Sequence, residues 1–466
     1  MKRIKNISIF GSILVLALLM NSCAKLDQVS PTAVQSVQLF KDSIGLSEAV
    51  TGMYSTLEAP EYYGGYYPMF ADLNSDNGVA GGYNNTSLNE FGLYSVTSSN
   101  IFIQNTYAAI YKTIATANAV IAGENSVRGA SATYLDNVKG QALTLRAIGH
   151  FDLLRAFGYH WDINSPYGIP VVIAVQSANS IVPRSTVSAT YTSIINDLTQ
   201  AATLLNNSSN RDPNYVNLAV VNALLARVYL YEKDYTNAAK YASLVINDGA
   251  YQLADTDHYV SMYDNGAKNS TEFIFQLPFD FQNQSQYYAT TYARPSAAST
   301  EVLFIANANL QSFFEARNGD VRYNLMDTTN TNGYLRTLKY SSDGKYKDNS
   351  ALLIRIAEMY LIRAEALGRI QGLADLNTIR TNRGLGALTL ADVPDNAAYA
   401  QAVADENRAE FNFEGHRYFD LARTGQIVNL LQPLTNIGIS ASNSCFPIPL
   451  REINASNGAV VQNPGY

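Results

Sequence analysis

Residues Leu218–Asp248 constrain the fold of this chain more than any other stretch. Apolar side chains recur through them at helical spacing, pause at Glu232-Lys233-Asp234-Tyr235, and resume at the same period. Two helices joined by so short a turn lie antiparallel and share a buried stripe. The same period predicts helices over Ser36–Leu57, Asn100–Glu124, Thr133–Phe157, Thr186–Leu205, Ala351–Ile370, Leu373–Arg383 and Ala397–Phe413, with a short one after Gly415. The expected class is mainly α.

Within the hairpin, Leu225-Ala226-Arg227-Val228-Tyr229 fits the Leu-small-x-x-Tyr core of a tetratricopeptide repeat, and Ala238 falls where the second helix needs a small residue. Leu353, Ile356, Ala357 and Tyr360 repeat that core about 130 residues later, too far for a tandem array of ~34-residue units. Tetratricopeptide-like pairs inside a single body are therefore expected, not a regular solenoid. Two stretches break the rhythm. Glu61–Ser99 is crowded with Gly, Asn, Ser and Tyr, including YYGGYY at Tyr62–Tyr67, and no helix is expected through it. Asn265–Ser350 reads as a loop-rich insertion with short strands at Glu272–Leu277 and Tyr334–Tyr340. The divisions expected are a leader at 1–22, an N-terminal helical region at 23–264 and a C-terminal region at 265–466. The last comprises the insertion (265–350), helices (351–425) and a tail (426–466).

The leader has a basic front (Lys2, Arg3, Lys5) and an apolar middle from Ile7 to Met20, which is the pattern of an export signal. Its LVLALLMNSC ending places Cys23 at a lipobox position, so acylation of Cys23 and a membrane tether are expected. Cys445 is then the remaining cysteine, and no intramolecular disulfide can form. With 32 Lys plus Arg against 39 Asp plus Glu, and with the leader's cations removed, the mature chain is acidic; nucleic acid is not an expected partner.

A search for reaction chemistry finds little. The four histidines (His150, His160, His258, His416) form no HExxH or His-x-x-x-His pair, and there is no GxSxG elbow, phosphate-binding Gly loop or dinucleotide fingerprint. No catalytic residue, metal or cofactor is expected. Glu358, Glu365, Glu406, Glu410 and Glu414 lie on helical patterns near Arg355, Arg369, Arg408 and Arg417, where i to i+3 or i+4 pairs on helix faces are the expected arrangement.

The C-terminal run Glu406-Asn-Arg408-Ala-Glu410-Phe-x-Phe-Glu414-Gly-His416-Arg417-Tyr-Phe-Asp420-Leu-Ala-Arg423-x-Gly425 resembles the signature of SusD/RagB surface lipoproteins. So do RIAEMYLIRAEA from Arg355, LNTIRTNRGL from Leu376, LRAIGHFDLLRAFG from Leu145 and the closing QNPGY. The resemblance implies a helical body with a loop-rich ligand face and a lipid anchor in the outer membrane of Bacteroidetes, facing the exterior. It also implies a SusC-type TonB-dependent transporter as partner, to which captured oligosaccharides, or peptides in some branches, are handed. Two readings from other classes stand beside it: a lipid-anchored glycosidase and a protein-only tetratricopeptide scaffold.

Sugar rings present an apolar face that stacks on aromatic rings, while their hydroxyls need Asn, Asp, Gln or Arg partners. The two irregular stretches carry that chemistry. The candidate ligand residues are Tyr66, Tyr67, Asp76, Asn77, Tyr83 and Asn84 from the first, and Tyr287, Tyr288, Tyr292, Arg294, Tyr334 and Arg336 from the second. Trp161 is expected to pack, leaving stacking to tyrosine. Glu410, Arg417 and Asp420 are expected to hold helices together.

Overall fold

The computed structural model describes residues 39–80, 86–177, 180–206, 210–267, 270–280, 282–283, 304–327, 335–340, 348–435 and 438–466. Cys23, Tyr83, Asn84, Tyr287, Tyr288, Tyr292, Arg294 and Tyr334 lie outside the described residues. The helices are α1 (Ser43–Leu57), α2 (Tyr66–Leu73), α3 (Thr86–Gly92), α4 (Ile101–Gly123), α5 (Ala132–Phe157), α6 (Val187–Leu204), α7 (Leu218–Glu232) and α8 (Tyr235–Asp248). Within the insertion lies α9 (Ala308–Glu315), and after it come α10 (Ile356–Asn382), α11 (Asn396–Phe411), α12 (Arg417–Arg423), α13 (Ile427–Leu431) and α14 (Leu450–Ala455). No described helix is long and apolar enough to cross a membrane.

The long helices stack in series: α4 on α5, α5 on α6, α6 on α7, α7 on α8, α8 on α10 and α10 on α11. Their starts are written in the sequence. Asp42, Asn100, Ser131, Thr186, Asn217, Asp234 and Asp395 each turn a side-chain oxygen onto backbone N–H groups of the first turn. In the α7–α8 hairpin Lys233 adopts a left-handed conformation (φ 69°), and the fully buried Ala226 and Ala238 belong to the same core. Helix α5 is the spine, with every residue from Gly140 to Phe157 buried. Its polar side chains tie neighbours to it: Arg146 makes a two-pronged pair with Asp197 at 2.6 and 2.7 Å, and His150 Nε2 accepts the Val172 N–H.

Three small antiparallel pairs complete the body: β1 (Gly78–Ala80) with β3 (Phe304–Ala306), β2 (Phe273–Leu277) with β6 (Ala351–Arg355), and β4 (Met326–Asp327) with β5 (Arg336–Thr337). Residues 351–355 are thus a strand where a helix was expected. ALLIR is a short, fully buried apolar run, for which helix and strand periods are indistinguishable, and pairing with β2 decides. The helix that follows is broken at Gly368 (φ 71°), close to the expected division at 370–373. Beyond the break Gly372 is obligatory, since a Cβ there would lie 2.0 Å from the Ala364 carbonyl oxygen.

Glu61–Ser99 also differs from expectation, because α2 and α3 form within it. YYGGYY is not a free tyrosine display. Tyr62 and Tyr63 donate to Asp152 Oδ2, at 2.5 and 2.7 Å, and Tyr67 donates to Oδ1 at 3.1 Å. Burial first, and then the Asp152 charge, raises the Tyr62 and Tyr63 hydroxyls well above their ordinary range. Gly64 lets the chain turn there, since a Cβ would meet the Glu58 carbonyl oxygen at 2.3 Å.

The acids of the C-terminal helices pair across elements, correcting the expected arrangement along helix faces. Glu410 is wholly buried and accepts from Arg355 at 2.7 Å, Arg383 at 2.9 Å and Arg322 at 3.2 Å. Glu272, Asp320, Glu406 and Glu414 extend the network through these arginines, Arg317, Arg380 and Lys339. Burial opposes ionisation of Glu410, yet Arg383 and Arg355 hold its carboxyl well below the ordinary range. Trp161 is half-buried and stacks on Tyr159 at 4.7 Å between ring centres.

Candidate functional site

The two irregular stretches meet at two points. At the first, Asp280 caps the amides of Gln282 and Asn283, and Asn283 Nδ2 donates to Glu58 Oε2 at 2.7 Å, just ahead of the tyrosine run. At the second, Gly78, Val79 and Ala80 face Ala306, Ile305 and Phe304 in the β1–β3 ribbon. The Ala306 amide also donates to the Leu335 carbonyl at 2.8 Å, which attaches the β4–β5 hairpin to the ribbon's free edge. At both points segments more than 200 residues apart in the chain meet, and Val79 in the ribbon is 40% exposed.

Beneath the ribbon is a second knot of charge. Arg417, at the start of α12, makes a two-pronged pair with Asp76 at 2.7 and 2.9 Å. Arg408, on α11, donates to Asn77 Oδ1 (2.9 Å), the Asp76 carbonyl (2.8 Å) and Asn309 Oδ1 (2.6 Å), with its guanidinium over the Phe313 ring. Asn307 closes the knot: its amide donates to the Asn77 carbonyl, while its side chain caps α9. Burial opposes ionisation of Asp76, but the Arg417 hydrogen bonds hold its carboxyl below the ordinary range. Burial, together with the like charge of Arg417, pushes the Arg408 guanidinium down to about 10 despite Asp76.

This geometry sorts the expected ligand residues. Tyr67, Asp76, Asn77 and Arg336 are buried: Tyr67 donates to Asp152, Asp76 and Asn77 accept from Arg417 and Arg408, and Arg336 donates to Asp327, while Asn77 Nδ2 and Arg336 Nε have no hydrogen-bond partner among the described residues. These four side chains lie within the fold, where they brace the face instead of being displayed on its surface. Tyr66 is half-buried, its ring against Phe70 and Phe102. Sequence reasoning missed Arg408, Asn307, Asn309 and Glu58 as site supports. Their partners lie tens or hundreds of residues away, so helical spacing carried no signal of them.

A second concavity lies elsewhere on the body. A cleft of about 390 Å³ between α4, the segment from Pro170 to Val182 and α14 is lined by Tyr107, Tyr111, Ile181, Glu452 and Val460. Among the described residues no group of His, Cys, Asp and Glu is arranged to hold a metal ion.

Comparison with known proteins agrees with this architecture. A family model described as "Starch-binding associating with outer membrane" matches residues 26–230, and one described as "SusD family" matches residues 196–466. SusD-like protein P38 of Formosa agariphila is similar along the whole of both chains, at 23% identity. A SusD superfamily crystal structure from Bacteroides vulgatus superposes with a TM-score of 0.81 at 26% identity, covering 91% of this chain and 99% of that one. Surface glycan-binding protein A from Bacteroides thetaiotaomicron, solved in complex with laminarihexaose, shares the fold with a TM-score of 0.74 at 20% identity, over 91% of this chain and all of the other. With more than half of its length matched by the family model, this chain belongs to the SusD family.

Proposed function

We propose that the protein captures oligosaccharides at the face built on the β1–β3 ribbon and passes them to a SusC-type TonB-dependent transporter. It does so from a Cys23 lipid anchor on the exterior of the outer membrane. The observation that carries the reading is the convergence of both Tyr- and Asn-rich stretches on one ribbon, held by a rigid helical body. Loops on a rigid scaffold are where recognition groups concentrate, and stacking rings with adjacent amides suit pyranose faces and hydroxyls. Family membership and the laminarihexaose complex of a protein with the same fold support a glycan as cargo. Capture of this kind breaks no bond and needs no activated nucleophile.

Isothermal titration of the mature chain with maltohexaose, laminarihexaose and a wider glycan panel tests the reading. Saturable binding of at least one glycan without release of reducing ends is expected. Binding of peptides alone would move the cargo to the second class the family resemblance allows, and sustained glycan turnover would make the protein a hydrolase. For partner and location, co-purification of a large outer-membrane barrel and loss of membrane fractionation in Cys23→Ser are expected.

A further inference from the structure

We propose that Arg408 is the positioning residue of the ligand face: one guanidinium that fixes the roots of both loop-bearing strands at once. This rests on the reading that the β1–β3 ribbon carries that face. Arg408 reaches Asp76 and Asn77, the two residues that lead into β1, and Asn309, three residues after the end of β3. The ribbon itself is only three residues long on each side, too little to hold a register alone. Its neighbours add two backbone bonds, from Asn307 to Asn77 and from Ala306 to Leu335. The guanidinium fork supplies what these lack, since its hydrogen bonds fix direction as well as distance.

The site is an expensive one for a cation that served stability alone. Arg408 and Arg417 converge on a single carboxylate, Asp76, which already receives both prongs of Arg417. Arg408 spends its hydrogen bonds on neutral acceptors of the two strand roots instead. A surface assembled this way is ordered before ligand arrives, and ordering in advance removes an entropic penalty from binding. Arg417 lacks this reach, because its hydrogen bonds run to the two carboxylate oxygens of Asp76.

The test uses the mature chain, Arg408→Gln and Arg408→Lys, each alone and in a Val79→Cys/Ile305→Cys background that can cross-link the facing pair of the ribbon. Hydrogen exchange is followed at residues 78–80 and 304–306, and affinity is measured for maltohexaose and laminarihexaose. In Arg408→Gln, exchange at the ribbon is expected to rise by about tenfold or more while α5 and α7 keep their protection. Affinity is expected to fall by about tenfold. Oxidation of the cysteine pair should restore most of that affinity and reduction should remove it again, a response that a loss of global stability would not give. Unchanged ribbon exchange, an affinity loss that the cross-link fails to restore, or full function in Arg408→Lys would each overturn the proposal. Should the unaltered chain bind neither glycan, affinity is measured with a glycan that the wider panel identifies; should no glycan bind, the functional reading fails, and the exchange arm still decides whether Arg408 orders the ribbon.

Discussion

Two knots of buried charge in this molecule use the same chemistry and differ in what they hold. Around Glu410, the arginines 322, 355 and 383 come from the insertion, from the strand before α10 and from the end of α10; all are fully enclosed. Around Asp76, Arg408 and Arg417 stand nearer the surface, and Arg408 turns toward neutral groups at the base of the ribbon. The first knot joins the insertion and the β2–β6 pair to α10 and α11. The second joins the helical body to the face that we propose meets the ligand. Burying charge is therefore no guide to function by itself; the elements that a charge connects are the guide.

The comparison can be broken most forcefully at its buried end. Glu410→Gln leaves three guanidinium groups around a neutral amide, and loss of one partner from a buried ionic group is worth about 3–5 kcal/mol. Denaturant or thermal unfolding should show that loss, with glycan affinity unchanged for whatever fraction remains folded. A large affinity change at retained stability would place Glu410 in the site.

Acid should strip the same knot. Arginines hold Glu410, Glu406 and Asp320 below the ordinary carboxylate range in the folded state, against the opposing effect of burial. Their contribution is fully present above the unfolded values near about 4 and is lost as pH falls through the lowered folded values. Histidine adds an earlier onset. Burial lowers His160 and His416 well below 6.5 and His150 to about 3, so protons are taken up by the unfolded chain first once pH drops below about 6.5. Unfolding free energy measured from pH 8 downward should begin to decline below pH 6.5 and decline further below about 4.5, where the carboxylates add to the histidines. A flat profile across that range would contradict the burial of these groups.

A smaller effect is expected at the tyrosine run. Tyr63→Phe removes one of the donors converging on Asp152 and should cost about 1–2 kcal/mol of stability, read as a shift in denaturant midpoint without change in slope. Smallest of all is the pair Arg211–Asp248, separated by 3.4 Å with both side chains well exposed. Arg211→Ala should alter stability by less than about 1 kcal/mol, and more than that would undo the contrast between enclosed and surface charge drawn above.

Much of the helical body was legible in the sequence because periodicity and caps act locally. The α7–α8 hairpin, the spine ending at Phe157 and the division near Gly368 follow from side chains within a few residues of one another. What escaped was long-range. Nothing in YYGGYY says that its tyrosines turn inward, since their acceptor, Asp152, lies on another helix some 90 residues away. The ALLIR strand was hidden for the same reason, its partner β2 being contributed by the far side of the insertion. Tyrosine and asparagine in Gly-rich stretches pointed to the face proposed here, but could not distinguish the residues that build it from those that would touch a ligand.

The most direct measurement is hydrogen exchange of the mature chain with and without a saturating glycan. The account predicts new protection concentrated at residues 78–80 and 304–306 and in the segments adjoining them, with the stacked helices α5 to α8 unchanged. Protection centred instead on the cleft between Tyr107, Ile181 and Glu452, with the ribbon unaffected, would contradict it.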